Sequence, residues 1–340
     1  MTRKYNIAIV GATGAVGEAL LTILAERDFP VGEIYALASE RSEGTTVLFK
    51  HKQLDVQNLE YFDFVDADIA FFSAGSAVSE KYAPIAAAAG CLVIDNTSCF
   101  RYDADIPLIV PEVNPHRVAD YTNRGIIANP NCSTIQMVVA LKPLYDAVGI
   151  SRINVATYQA VSGTGRKAVT ELASQVSELL NGRSVKPEVY RQQIAFNVLP
   201  HIDDFQENGY TREEMKMVWE TRKIFEDESI QVNPTAVRVP VFYGHSEAIH
   251  VELKAPLTAV QARKLLSKAP GVRVIDNLSK FEYPTPVSHA TGHDDVFVGR
   301  IRQDISHPNG LNLWVVADNI RKGAALNAIQ IAEIYLRAYN

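Results

Sequence analysis

The chain has 340 residues, which suggests two domains at roughly 100 to 200 residues each. Hydrophobic residues make up 47% and charged residues 21%, enough for a sizeable core. The net charge of −6, with no long basic run, argues against nucleic acid as the main partner, because phosphate binding needs clustered Lys and Arg. Cys91, Cys99 and Cys132 fall outside any CxxC or CxxxC pair, which excludes a disulfide framework and a cysteine zinc site and suits a reducing compartment. No apolar run approaches the roughly 18 residues of a membrane span. The opening "MTRKYNIAIVGATG" turns straight into a strand and a glycine turn rather than a signal peptide, so a soluble cytoplasmic protein without a membrane partner is expected.

In chain order, "YNIAIV" (5–10) reads as a buried strand, followed by helical spacing at Val16, Ala19, Leu20, Ile23 and Leu24. "EIYALA" (33–38) and "ADIAFFSA" (67–74) are further strands, and "SEKYAPIAAAAG" (79–90) is a helix closed by Gly90. "CLVIDNT" (91–97) and "GIIANP" (125–130) complete an alternation that predicts a parallel sheet with helices on its faces. Beyond Cys132 the texture changes. "INVATYQAVSG" (153–163) and "AVRVPVFYGHSEAIHVELK" (236–254) are long β-branched and aromatic segments, with helices near 166–181 and 211–226 between them and a Pro-broken stretch at 181–210. This predicts an α+β domain on a mixed or antiparallel sheet. The tail "AALNAIQIAEIYLRAY" (324–339) is one amphipathic helix of the kind that packs back on a first domain. The expected organisation is an α/β Rossmann-type dinucleotide-binding domain over 1–131, joined by a returning helix from 320–340, and a catalytic and dimerisation domain over 132–319.

"IAIVGATGAVGEALLTIL" is strand, glycine turn, helix, with Gly11, Gly14 and Gly17 spaced three apart. A diphosphate needs close backbone N–H donors and gains from the positive end of the following helix. Ala12 stands where the usual G-x-G-x-x-G begins, with Gly11 before it. At the end of the second strand, Glu40 could take ribose hydroxyls, as NAD sites do. Ser39, Arg41 and Ser42 suit a 2′-phosphate better and favour NADP, although Arg41 alone could be part of a solvated loop. Ser73 and Gly75, after "ADIAFF", are counted with the cofactor residues.

"NPNCSTIQMVVALKPL" offers Pro130 as a strand stop, Asn131 as a cap and Cys132 in the first turn of an apolar helix. N–H groups there favour a thiolate, whereas a free thiol has a pKa of about 8.5. Cys91, at a strand start, reads as packing, and Cys99 is intermediate. His245 in "FYGHSEAIHVE" opens a strand after a glycine, with Arg238 seven residues upstream; alone it would read as packing. Arg is the side chain suited to a bidentate carboxylate. His250 falls on the opposite strand face and reads as structural. "SHATGHDD" (288–295) has metal-like spacing but no support elsewhere, and reads as a polar loop with no metal.

"GATGAVG", "NPNCSTIQ", "TYQAVSGTGRKA", "RVPVFYGHSEAIHVE" and "DNIRKGAALNA" together resemble the aspartate-β-semialdehyde dehydrogenase family, in family order and over nearly the whole chain. The resemblance implies NADPH-dependent reduction of L-aspartyl 4-phosphate to aspartate semialdehyde and phosphate, supplying lysine (through diaminopimelate), methionine and threonine, by a homodimer or homotetramer. It makes Cys132 the thioester nucleophile, Gln159 the residue that orients the acyl group and His245 the acid/base. Arg238 would meet the substrate carboxylate and Glu213 its amine, with Arg101, Asn131 and Lys216 holding phosphate. Thr13, Gly14, Ala15 and Val16 would line the cofactor diphosphate, Ser162 and Gly163 the nicotinamide side, and Asn319 would close the site. Plainer readings exist for three of these: Arg101 could pair with Asp103 or Asp105, and Glu213 and Lys216 could be a surface ion pair. The rivals are an N-acetylglutamyl-phosphate reductase, a more distant glyceraldehyde-phosphate dehydrogenase and a nucleotide-sensing module without catalysis.

Overall fold

The computed structural model describes residues 3–339, so Met1, Thr2 and Asn340, the outer ends of the two expected ranges, lie outside it. The chain divides into two units, Met1–Asn131 with Ala324–Asn340, and Cys132–Gly323. The elements run β1 (Tyr5–Val10), α1 (Ala15–Glu26), β2 (Val31–Ala38), β3 (Thr46–Phe49), β4 (Lys52–Asn58), β5 (Ile69–Phe72), α2 (Ser76–Ala88), β6 (Leu92–Asp95) and β7 (Ile126–Ala128). They continue with α3 (Cys132–Val148), β8 (Ile150–Gln159), α4 (Arg166–Leu180), α5 (Arg212–Phe225), β9 (Gln231–Arg238), β10 (His245–Leu253), α6 (Ala259–Leu266), β11 (Val272–Val274), β12 (Val296–Gln303), β13 (Gly310–Ala317) and α7 (Leu326–Tyr339).

The first unit is a seven-stranded sheet in the order β3-β4-β2-β1-β5-β6-β7. Its central strands are continuous apolar runs because both faces are covered, the mark of a parallel sheet. One correction applies at the edge. Thr46–Phe49 runs antiparallel to Lys52–Asn58 as a hairpin, turning at Lys50 with φ 53°. These strands are half-exposed and interleaved with polar residues, so they lack the apolar run that marks the interior strands. The helix α7 buries Leu326, Ile329 and Ile331 in the same core as Leu20, Ile23 and Leu24 of α1. Arg27 clasps Glu333 through two 2.7 Å bonds, which fixes α7 against α1. Inside, Asn327 donates to the carbonyl of Ile109 at 3.0 Å and to Asn129 Oδ1 at 2.7 Å.

The second unit carries a six-stranded sheet in the order β11-β12-β13-β10-β8-β9. It is mixed: β8 with β9 and β11 with β12 are parallel, and the other pairs are antiparallel. Along β10, His245, Glu247, Ile249, Val251 and Leu253 point inward, and α3 covers that face, with Gln136 donating to the carbonyl of His245 at 3.4 Å. The stretch 181–210 has little regular structure because side chains satisfy its backbone. Glu171 accepts from the N–H groups of Glu188 and Val189, and Gln175 accepts from Ile194 and Ala195 at 3.0 and 3.1 Å. Residues 320–323 group with this unit rather than with the returning helix; the Gly323 N–H is bonded to the carbonyl of Asp318 at 3.1 Å.

Candidate active site

In the first unit, the expected cofactor residues lie at the carboxyl ends of β1, β2 and β5. The chain steps from β1 to β2 on one side and to β5 on the other, which is the crevice where open parallel sheets take ligands. Gly11 has φ 92°, and a Cβ there would lie 2.9 Å from Ser73 Oγ and 3.0 Å from the Ser73 backbone, so only glycine fits. Gly17 is tighter still: its Cβ would lie 2.2 Å from the carbonyl oxygen of Gly11. Gly14 is exposed and begins α1 with no side-chain cap, so Thr13, Gly14, Ala15 and Val16 present a bare helix start suited to a diphosphate. Ser73 is anchored by its N–H and Oγ to the carbonyl of Val10, and Gly75, at φ 98°, opens α2. Ser39, Glu40 and Arg41 are exposed and Ser42 is half-buried in one short turn after β2. The glycine cradle and the uncapped helix start fit the diphosphate of a nicotinamide dinucleotide.

Arg101 is buried on the loop after β6 and donates to the carbonyl of Asn96 at 2.8 Å. Arg124 holds Asp103 at 2.8 Å and Asp105 at 3.6 Å. The amides of Asn96, Asn129 and Asn327 are linked in a chain, half-buried at Asn96 and buried at the other two, with Asn129 donating to Asn96 Oδ1 at 3.0 Å, and this fixes the strand that leads into Asn131. Asn131 is itself buried.

In the second unit, Cys132 is the first residue of α3, where the helix presents its positive end. The other two cysteines are differently placed. Burial pushes the Cys91 thiol up to about 12, and its Sγ donates to the carbonyls of Phe64 and Ala67. Burial, then Asp95, also raise Cys99. A Cβ on Gly323 would stand 2.8 Å from Cys132 Cβ, so this glycine packs directly on the cysteine.

Gln159, the last residue of β8, is in register with Arg238, the last of β9. Gln159 Nε2 donates to Glu213 Oε1 at 3.0 Å, and Lys216 Nζ bonds Glu213 Oε2 at 3.0 Å and Asp203 Oδ2 at 2.7 Å. Glu213 and Lys216 therefore do form the i,i+3 pair, but one with a buried carboxylate and a half-buried ammonium, joined to Gln159. Burial pushes the Lys216 ammonium down; Glu213 and Asp203 outweigh it and hold its pKa above the ordinary value. Glu214 places this helix. It completes a capping box with Thr211, and its other oxygen takes the N–H of Ala236 on β9 at 2.9 Å. Arg238 Nη1 donates to the carbonyl of Ala160 at 2.7 Å.

His245 is fully buried at the start of β10, and its Nδ1 accepts the N–H of Ala160 at 3.0 Å. Its pKa is lowered to about 3, chiefly by burial and then by Arg238, with Glu213 opposing. A Cβ on Gly163 would fall 3.0 Å from Arg238 Nη1 and 3.2 Å from His245 Nε2, so a side chain here would press on both groups. Asn319 ties the turn together, accepting the Gly244 N–H at 2.9 Å and donating to Ser162 Oγ at 3.0 Å. Cys132 connects to this cluster through Gln136, one turn along α3.

Several participants escape a sequence reading. Gly323 lies in a quoted motif but shows its role only by contact. Glu247 is a fully buried carboxyl two residues past His245 on the same face, and the strand alternation does signal it. His250 faces the other way and meets Asp304 at 2.6 Å. Of the "SHATGHDD" loop, His289 Nδ1 accepts the Thr285 N–H, His293 Nδ1 contacts the Thr291 carbonyl and Asp294 pairs with Arg321. A groove lined by Tyr283, Pro286, Arg300, Arg302 and Trp314 includes Ala248, which faces away from His245 across the strand.

Residues 6–121 match the family described as semialdehyde dehydrogenase, NAD binding domain, and residues 141–322 match semialdehyde dehydrogenase, dimerisation domain. The chain is 71% identical over 339 residues to the aspartate-semialdehyde dehydrogenase of Legionella pneumophila, covering 100% of this chain and 98% of that one. It superposes with TM-score 0.98 and 60% identity on the crystal structure of aspartate semialdehyde dehydrogenase II from Vibrio cholerae complexed with ASA, covering 100% of both chains. A more distant match, with TM-score 0.76 and 26% identity over 98% of this chain and 99% of the other, is the Candida albicans enzyme crystallised with NADP. On both its NAD-binding and its dimerisation halves, the chain belongs to the aspartate-semialdehyde dehydrogenase family.

Proposed function

We propose that this protein reduces L-aspartyl 4-phosphate to L-aspartate 4-semialdehyde with NADPH, releasing phosphate, through a thioester on Cys132, in the branch that serves lysine, methionine and threonine. The observation that carries this reading is the pair of buried side chains that meet at Gly163, Arg238 and His245, with the carbonyl of His245 held by Gln136, one turn along the helix that Cys132 begins. Cys132 Sγ attacks the acyl carbon, the C–S bond forms and the C–O bond to phosphate breaks with its electron pair on phosphate. Arg238 suits the substrate α-carboxylate, and Glu213, held by Gln159 and Lys216, suits its ammonium group. Arg101, Asn131 and Lys216 are the residues assigned to phosphate. Gln159 orients the acyl group, and His245 Nε2 meets the oxyanion that develops on the thioester carbonyl.

The nicotinamide cofactor supplies hydride to that carbonyl when bound. Its diphosphate is assigned to the glycine turn and the start of α1, with Ser73 and Gly75, and its nicotinamide side to Ser162, Gly163 and Asn319. Ser39, Arg41 and Ser42 carry the preference for NADP, a choice supported by the NADP complex of the Candida albicans relative. The match to a dimerisation domain supports a homodimer or homotetramer, built through the second unit. A cytoplasmic location agrees with the absence, among the described residues, of any helix long and apolar enough to cross a membrane.

The reverse reaction tests the reading. Aspartate semialdehyde, phosphate and NADP should give NADPH in a phosphate-dependent manner, and Cys132→Ala should abolish it. Oxidation of N-acetylglutamate semialdehyde in its place would overturn the substrate assignment.

A further inference from the structure

We propose that Glu247 and Gln136 form a two-point acid–amide pair, in which the Glu247 carboxyl keeps its proton, and that this pair positions Cys132 by pinning its helix to β10. The positioning role rests on the reading of the site given above; the pair itself does not.

Two buried side chains are left with unsatisfied polar atoms. Glu247 is fully buried, and neither of its carboxyl oxygens has a hydrogen-bond partner among the described residues. Gln136 is buried too, and its Oε1 is likewise unsatisfied there. Gln136 is the side chain that acts on the Glu247 carboxyl. The other surroundings offer that carboxyl little. Its partners in register are Thr157 on β8 and Val315 on β13. Val315 is apolar, and the Thr157 hydroxyl donates to Gln159 Oε1 at 3.3 Å. His245, two residues back on the same inner face, is itself neutral near pH 7, its pKa lowered to about 3. No lysine or arginine acts on Glu247 to hold it as an anion.

Counting donors and acceptors decides the arrangement. Gln136 Nε2 carries two N–H groups, and one of them reaches the His245 carbonyl at 3.4 Å. That contact sets which end of the amide is which, because Oε1 in the same place would oppose two acceptors. One N–H and Oε1 remain. A carboxylate only accepts, so it would take the N–H and leave Oε1 facing an anion. A protonated carboxyl accepts the N–H on its carbonyl oxygen and gives its O–H to Oε1, and every one of these buried groups is then satisfied. Burial favours that form, and the Gln136 N–H opposes it only in part.

The consequence for the site follows from helix geometry. Gln136 lies one turn after Cys132, so the two share a face of α3. With its amide clamped between the His245 carbonyl and the Glu247 carboxyl, Gln136 ties the start of α3 to two successive inward positions of β10. The place of the Cys132 thiol relative to that strand depends on the clamp.

The test uses the full chain carrying ¹³C-carboxyl glutamate, read by carbon NMR in the resting protein, with the Glu247 signal assigned by its loss in Glu247→Gln. The expected signal is that of a neutral carboxyl at about pH 6 to 7, well above the ordinary glutamate value of about 4.3. An ionised carboxyl there overturns the pair. The role is read from two variants. Glu247→Gln keeps a two-point pair, amide against amide, whereas Glu247→Met fills the space without a donor; Glu247→Leu replaces it should that protein not fold. In the reverse reaction kcat should fall by about tenfold in Glu247→Met with KM for the semialdehyde little changed, a fraction of what a full ångström of misplacement costs, and Glu247→Gln should recover most of it. Alkylation of Cys132, followed by mass on its own peptide, should fall in the same order. Equal kcat or equal alkylation in the two variants overturns the positioning role. The spectrum and the alkylation need no substrate, so a wild-type enzyme inactive on aspartate semialdehyde would defeat the functional reading and leave these two measurements to decide the pair and its hold on Cys132.

Discussion

Replacing Gly323 by alanine places one methyl group against the nucleophile. The new Cβ would stand 2.8 Å from Cys132 Cβ and 3.3 Å from its Cα, about 1 Å inside ordinary carbon–carbon contact. Neither side yields easily. Gly323 is tied through its N–H to the carbonyl of Asp318, whose carboxylate also takes the N–H groups of Ile320, Arg321 and Gly292. Cys132 begins a helix whose next nine residues are all buried. The strain should therefore be shared as a displacement of the thiol approaching an ångström, together with overpacking of about 1–3 kcal/mol. A misplacement of that size costs about 10² in rate. Steady-state kinetics of the reverse reaction should show kcat/KM falling by about 10², with the rate of Cys132 alkylation changed as well. Thermal unfolding of the same variant measures the strain directly. Wild-type kcat/KM and alkylation in a folded Gly323→Ala protein would refute the packing argument.

Gly163→Ala separates activity from stability. Its Cβ falls within 3.2 Å of both Arg238 Nη1 and His245 Nε2, so KM for the semialdehyde should rise steeply. Position 163 is not among the positive-φ glycines, so a gain of about 0.4–1 kcal/mol from the restricted unfolded chain offsets part of the crowding, and unfolding should change by no more than about 1 kcal/mol; an unaltered KM would count against this placement of the ligand. Glu247→Gln should stabilise the protein at neutral pH. Burial holds the Glu247 carboxyl well above the ordinary glutamate range, with Gln136 pulling weakly the other way, so the folded form keeps a proton that the unfolded chain loses. Stability therefore falls as pH rises from the ordinary glutamate value through the raised one, and the advantage of the Gln variant should shrink toward pH 4. Urea midpoints across pH measure this, and a pH-independent difference would contradict it. Arg41→Ala should raise KM for NADPH more than KM for NADH, and equal effects would remove Arg41 from the 2′-phosphate site.

Local chemistry made part of this protein legible. Central strands such as "YNIAIV" are apolar throughout because both faces are covered, and glycines at 11, 14 and 17 can only mean a close backbone turn before a helix. The edge hairpin at 46–58 was not legible, since half-exposed strands carry a weak pattern. Nor were α6, β12 and β13, and the stretch 181–210 is held by Glu171 and Gln175 rather than by any periodicity.

The candidate site divides in the same way. By itself the sequence determined which residue types are available: a cysteine at a helix start, an arginine and a histidine on neighbouring segments, a charged pair three apart. Only the tertiary structure decided that Gln159 joins that pair across 54 positions, that the Ala160 N–H reaches His245 Nδ1 across 85, and that Gly323 abuts Cys132. Local spacing governs what a helix or strand presents. Contacts between distant elements, and the burial that tunes their charges, exist only once the chain is packed.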